Sequence, residues 1–116
     1  MWINSDSLDN ARAIAQTLQH EVEEHPGFKA FLIFVSTPQA DVEALATKAN
    51  VPGLGLAILH GKDDQAVQIY AMNVDPEVKN TILVYRDKHV KSKFINLVAN
   101  RAGLASLQDA VDAVNR

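Results

Sequence analysis

The sequence predicts an α/β domain: a three-layer α/β/α sandwich around a central four-stranded mixed sheet, with elements in the order α-β-α-β-α-β-β-α. Three observations carry this. Helical and strand-like periodicities alternate over the first two thirds of the chain, as strand–helix–strand units with parallel strands require. Two strand-sized segments are short, nearly unbroken apolar runs, the pattern of strands covered on both faces. Near the C-terminus two further strand-like segments flank a turn of hairpin size, which predicts an antiparallel pair. At 116 residues the chain fits one domain, residues 1–116, with one core.

The first element reads as an amphipathic helix. Leu8, Ala11, Ile14, Ala15, Leu18 and Val22 repeat at three and four residues and line one face. Asp6 and Ser7 are N-cap candidates, and His25-Pro26-Gly27 stops the helix. The run Phe31-Leu32-Ile33-Phe34-Val35 is the first strand. Thr37 and Pro38 then suit the cap and first position of a second helix, where a missing N–H is harmless. Its buried stripe is Val42, Leu45, Ala46 and Ala49. Asn50-Val51-Pro52-Gly53 ends it, and residues 54–59 form the second strand. Residues 66–72 fit a short helix capped by Asp63 or Asp64, although Val67, Ile69 and Ala71 also alternate like a strand. Residues 81–85 and 90–95 are the third and fourth strands, joined through Arg86-Asp87-Lys88-His89. A final helix follows, with Ser106 as cap and Leu107, Ala110, Val111 and Val114 facing the core. Phe31, Ile33, Leu56, Ile58, Ile82 and Val84 are the expected inaccessible centre of the sheet.

Composition excludes more than it assigns. With no cysteine, the chain has no disulfide, no thiolate ligand and no cysteine nucleophile. A net charge of −3 gives no basic stripe for nucleic acid. The one basic cluster, Arg86, Lys88, Lys91 and Lys93, reads as a solvated hairpin face or as a site for an anionic partner. No apolar run has the length of a membrane span. Met1-Trp2-Ile3-Asn4 lacks the features of a signal peptide. That fits a cytoplasmic protein, or an exported one after removal of its leader.

The order of elements, with the 81–95 hairpin and a C-terminal helix, resembles the thioredoxin fold. The resemblance extends to small thioredoxin-like bacterial proteins, often exported, and it implies no chemistry on its own. In thioredoxins a Cys-x-x-Cys motif follows the first core strand and opens the next helix; the matching place here reads Ser36-Thr37-Pro38-Gln39. Thioredoxins also carry a cis-proline before the third core strand, and here Asn80-Thr81 stands there. A non-proline bond at that place is expected to be trans. The resemblance therefore implies a scaffold without redox residues, whose strand ends meet extended polypeptide. On this basis the expected function is a non-catalytic protein-binding or assembly module. Thr37, Gln39, Asn80, Thr81 and His60 are its binding candidates, with no catalytic residue, metal or cofactor expected. The expected partner is a protein or peptide, or a second copy of the chain.

Other residues support a second reading or none. His60, Asp63 and Asp64 at a strand end fit proton transfer in an enzyme of a non-thiol class. His20-Glu21-Val22-Glu23-Glu24-His25 places His20 and Glu24 one helical turn apart, a spacing at which imidazole and carboxylate can share a divalent metal, but the segment also fits a plain polar helix end with His25 near the C-terminal dipole. The glycines of Gly53-Leu54-Gly55 precede a strand, so they are no dinucleotide fingerprint; Gly55 reads as a close approach within the sheet. Asp75-Pro76-Glu77 reads as a solvated acidic loop. Trp2 either staples the first helix or belongs to a dimer contact.

Overall fold

A computed structural model describes all residues except Tyr70 and Pro76. Tyr70, within the short helix read over residues 66–72, and Pro76, within the acidic loop, lie outside the described residues. The elements are β1 (Trp2–Ile3), α1 (Leu8–Glu24), β2 (Ala30–Phe34), α2 (Gln39–Ala49), β3 (Leu54–Ile58), α3 (Gln65–Ile69), β4 (Asn80–Arg86), β5 (His89–Ile95) and α4 (Arg101–Val114). Five strands form one mixed sheet in the order β3-β2-β1-β4-β5. β1 and β3 run parallel to β2, while β4 is antiparallel to β1 and to β5.

The α/β class and the closing antiparallel hairpin match the sequence reading; the four-stranded sheet does not. A fifth strand, Trp2–Ile3, sits at the centre of the sheet. Thr81 therefore pairs with Trp2, and residues 81–85 do not lie directly beside residues 31–35. Two residues are too few to show strand periodicity, so Trp2 read as a staple or a dimer contact. Its partners Ile33 and Thr81 are distant in sequence, and only they make it a strand.

The sandwich is also unequal. Ala11, Ile14, Ala15 and Leu18 of α1, Val42, Leu45 and Ala49 of α2, and Leu107 and Val111 of α4 all pack on one side of the sheet. There they meet Ile3, Ala30, Leu32, Phe34, Leu54, Ile82 and Val84, which share one side of the pleat. The other side has a small cluster of Val35, Val67 and Met72 against Trp2, Ile33, Leu59 and Val74. Its only helix among the described residues is the short α3. Phe31 on that side is 52% exposed, whereas neighbouring Leu32 is 0% exposed. Ile82 and Val84 are buried as expected, Ile33 is half-buried, and Phe31, Leu56 and Ile58 are exposed, against expectation. A built-on Cβ at Gly55 would strike the Phe31 ring, so the expected close approach at Gly55 is the ring lying over its backbone.

Helix ends follow local chemistry, with two corrections. Ser7 caps α1 by accepting the Asn10 N–H at 3.1 Å. Pro38, not Thr37, is the N-cap of α2, and no side chain caps that end. Asn100, not Ser106, caps α4, accepting the Gly103 N–H at 2.8 Å, so the last helix starts earlier. The hairpin turns on Asp87 and Lys88, with φ of 53° and 67°. Two consecutive positive φ values define the mirror-image turn that suits the twist of a two-stranded ribbon.

Candidate functional site

The sequence-derived binding residues lie toward the ends where β2 and β3 leave the sheet and β4 enters it, but they are not equivalent. Because β1 lies between β2 and β4, residues 36–39 are separated from Asn80 by a strand. Asn80 is 1% exposed, and its amide is already engaged. Its Nδ2 donates to Asp6 Oδ2 at 2.7 Å and to the Leu97 carbonyl at 3.1 Å, and its Oδ1 accepts the Leu97 N–H at 3.0 Å. It pins β4 to two loops, and its burial keeps it from an incoming partner. Thr81 is 2% exposed, with an unpartnered hydroxyl facing the inside of the protein. Gln39 is exposed and donates to Glu43 Oε1 at 3.0 Å along its own helix. Thr37 is half-buried and His60 exposed.

The residues that do follow β1 and open α1 are Asn4, Ser5, Asp6 and Ser7. Asn4 Nδ2 donates to the carbonyls of Asp75 and Val78 at 2.8 and 2.9 Å, tying this turn to the segment before β4. Asp6 accepts from Asn10 as well as from Asn80. This network involves residues too far apart in sequence for any local pattern to have shown it.

At the end of β3, His60, Asp63, Asp64 and Gln65 outline a shallow depression. Asp64 accepts the backbone N–H of Ala66 at 2.9 Å and of His60 at 3.1 Å. Those two bonds hold its carboxyl below the ordinary carboxylate range. Asp64 is thus a loop staple at the start of α3, and its shift runs opposite to the raised carboxyl that favours proton transfer at neutral pH.

A second cluster joins the C-terminal ends of α1 and α4. His25 Nε2 lies 2.8 Å from Asp112 Oδ1 and 3.2 Å from Glu21 Oε2. Glu21 is 4% exposed, and its Oε2 has no hydrogen-bond partner of acceptable geometry. Burial pushes the Glu21 carboxyl up, and Asp112 adds to the rise through a hydrogen bond and its charge. The bond to Asp112 holds His25 above its ordinary range, and Asp112 is lowered chiefly by the same bond. The sequence had paired His20 with Glu24 as the metal-type spacing; those two are exposed and 3.8 Å apart. The closer constellation uses Glu21 and His25 at the same one-turn spacing and adds Asp112, which lies 87 residues further on.

A cavity of about 830 Å³ lies between β2 and β4 on the N-terminal side of β1. β1 pairs only with Ile33 and Phe34 on one side and with Thr81 and Asn80 on the other. Ala30–Leu32 and Ile82–Arg86 therefore face each other across a gap. The Ile33 and Val35 N–H groups donate toward β1, both at 2.9 Å, to Met1 and Ile3. By alternation the Phe31 N–H points the same way, into the gap. On the other wall the Asn80 carbonyl points away, toward Asn96, so Leu83 and Tyr85 direct their N–H and C=O groups into the gap. The Met1 ammonium stands at the inner end and donates to the Phe31 carbonyl at 3.0 Å, and burial lowers its pKa to about 6. Side-chain walls come from Phe31, Leu83 and Tyr85 on the open side, and from Leu18, Val111 and Val114 on the helical side. No sequence signal marks the gap, because it arises from the register of three strands.

Searches of this chain against protein-family models, curated proteins and solved structures found no match.

Proposed function

We propose that this is a thioredoxin-like domain without thiol chemistry that binds polypeptide, taking an extended segment of another protein as an added strand between β2 and β4. The observation that carries this reading is the gap itself. Two strand edges in one sheet stand on either side of it, with the Phe31 N–H directed inward from β2 and the N–H and C=O groups of Leu83 and Tyr85 from β4. A peptide lying there in line with β1 runs parallel to β2 and antiparallel to β4, and hydrogen-bonds on both sides. Strand addition of this kind draws affinity from the main chain and specificity from alternate side chains. Residues of the occupant would point in turn to Phe31 and Leu83 on the open face and to Leu18, Val111 and Val114 beneath the helices. An apolar residue at every second position suits the helical side, and about four residues span the exposed edges at ~3.3 Å per residue.

The thioredoxin-like part of the reading is supported by the order β2-β1-β4-β5, which places the third core strand beside the first once α2 and β3 are set aside. In that alignment the place of the redox motif is Asn4-Ser5-Asp6-Ser7, opposite Asn80, and not Ser36-Thr37-Pro38-Gln39. Caps and crosslinks occupy its side chains, which favours a structural role for that end and binding elsewhere.

The test is amide hydrogen exchange with and without a blocked synthetic peptide of alternating valine and threonine. Binding in the gap slows exchange at Phe31, Leu83 and Tyr85, and Val114→Lys on the helical wall weakens the effect. Absence of protection at millimolar peptide, or protection that Val114→Lys leaves intact, overturns the assignment. Protection that grows with protein concentration and without peptide would give the gap to a second copy of the chain.

A further inference from the structure

We infer that Glu21, His25 and Asp112 form a zinc site that ties the C-terminal end of α1 to that of α4. Geometry is the first ground. Zinc–nitrogen and zinc–oxygen bonds of about 2.0–2.1 Å at tetrahedral angles set neighbouring ligand atoms about 3.3 Å apart. His25 Nε2 lies 2.8 and 3.2 Å from the two carboxylate oxygens, and one ligand atom from each residue falls within 4.8 Å of the others. The two separations from His25 are close to that edge length.

The second ground is independent. Glu21 is 4% exposed, and its Oε2, directed into the cluster 3.2 Å from His25 Nε2, makes no well-aligned hydrogen bond. A buried carboxylate with an unsatisfied oxygen is costly unless a cation or proton meets it. One imidazole and two carboxylates are a donor set that zinc accepts, and the Asp112 side chain is 46% exposed, so water has access to the fourth position. Glu21 and His25 are held one turn apart on a single helix, and Asp112 is fixed by the packing of Leu107 and Val111 in the core. The protein thus brings preformed ligands to the ion. Metal uptake requires His25 Nε2 to give up its proton, so binding releases protons and strengthens as pH rises.

The purified full chain, freed of metal with a chelator, is titrated with zinc and separately with cobalt. One equivalent of zinc should bind, raise the melting temperature and release protons, and cobalt should give the intense visible bands of a tetrahedral site. Asp112→Asn and His25→Gln should each weaken binding at least about tenfold, no less than the loss of a supporting partner would. Asp112 is partly exposed, so its variant tests the ligand role in a folded protein. His20→Gln with Glu24→Gln, at the exposed neighbouring pair, should leave binding unchanged. No stoichiometric zinc binding, or binding that survives both Asp112→Asn and His25→Gln, overturns the site and leaves a proton-sharing crosslink.

Discussion

The two sides of the sheet are made of similar residues and treated very differently. Along β2, Ala30, Leu32 and Phe34 lie under α1, α2 and α4, while Phe31 and Ile33 face a side with only α3 among the described residues. A second asymmetry separates the two ends of β1. At its C-terminal end Asn4, Asp6 and Asn80 close the structure with short hydrogen bonds. At its N-terminal end the sheet opens into the gap between β2 and β4. Hydrophobic residues alone therefore do not mark the core; what lies across from them does. Phe31, Tyr85, Val90 and Ile95 on the open side are all more than half exposed.

The largest expected effect sets one side against the other. Phe34→Ala, on the helical side, should cost ~3–5 kcal/mol through lost burial and the remaining cavity, and Phe31→Ala about 1 kcal/mol. Urea denaturation of the two variants measures this. Equal losses would mean that the open side is covered in solution and would break the comparison.

Next comes the contrast between the two ends of β1. Asn80→Ala removes three hydrogen bonds and strands the buried Leu97 N–H, and should cost ~3 kcal/mol. Tyr85→Ala, at the open end and 59% exposed, should cost well under ~1 kcal/mol. Thermal melts of both variants give the order, and a tolerated Asn80→Ala would show that the closed end is not pinned by that amide.

The smallest effect is a pH dependence. His25 titrates above its ordinary value when folded, so its stabilising contribution is full below pH 6.5 and fades as pH rises through the folded pKa. The loss caused by His25→Gln should therefore shrink from pH 6 toward pH 8 in metal-free protein. The Met1 amine acts with the opposite sign. Its folded pKa of about 6 lies below the ordinary 8.0, so stability rises with pH between those values. Acetylating that amine should remove the rise, and a His25→Gln difference that grows with pH would refute the crosslink.

Much of the fold was legible because its signals are local. The α1 stripe and its Ser7 cap, the turn at Asp87 and Lys88, and the antiparallel β4–β5 pair each depend on residues within a few positions of one another. The caps of α2 and α4 differ from the reading by one and by several residues: α2 starts after Pro38 with no side-chain cap, and Asn100 caps α4 upstream of Ser106. The absence of thiol chemistry was settled by composition alone. The sequence by itself thus determined the α/β class, most element positions and the chemistry that is excluded. Only the tertiary structure decided that Trp2–Ile3 is a central strand, that Phe31 is exposed beside buried Leu32, and that Asp112 joins Glu21 and His25. It also decided that Asn80, which read as a recognition amide, is buried and bonded within the protein. The physical reason is common to all four. Strand pairing, the layer that covers a face and the meeting of side chains from two helices depend on partners that are remote in sequence, and no local periodicity encodes them.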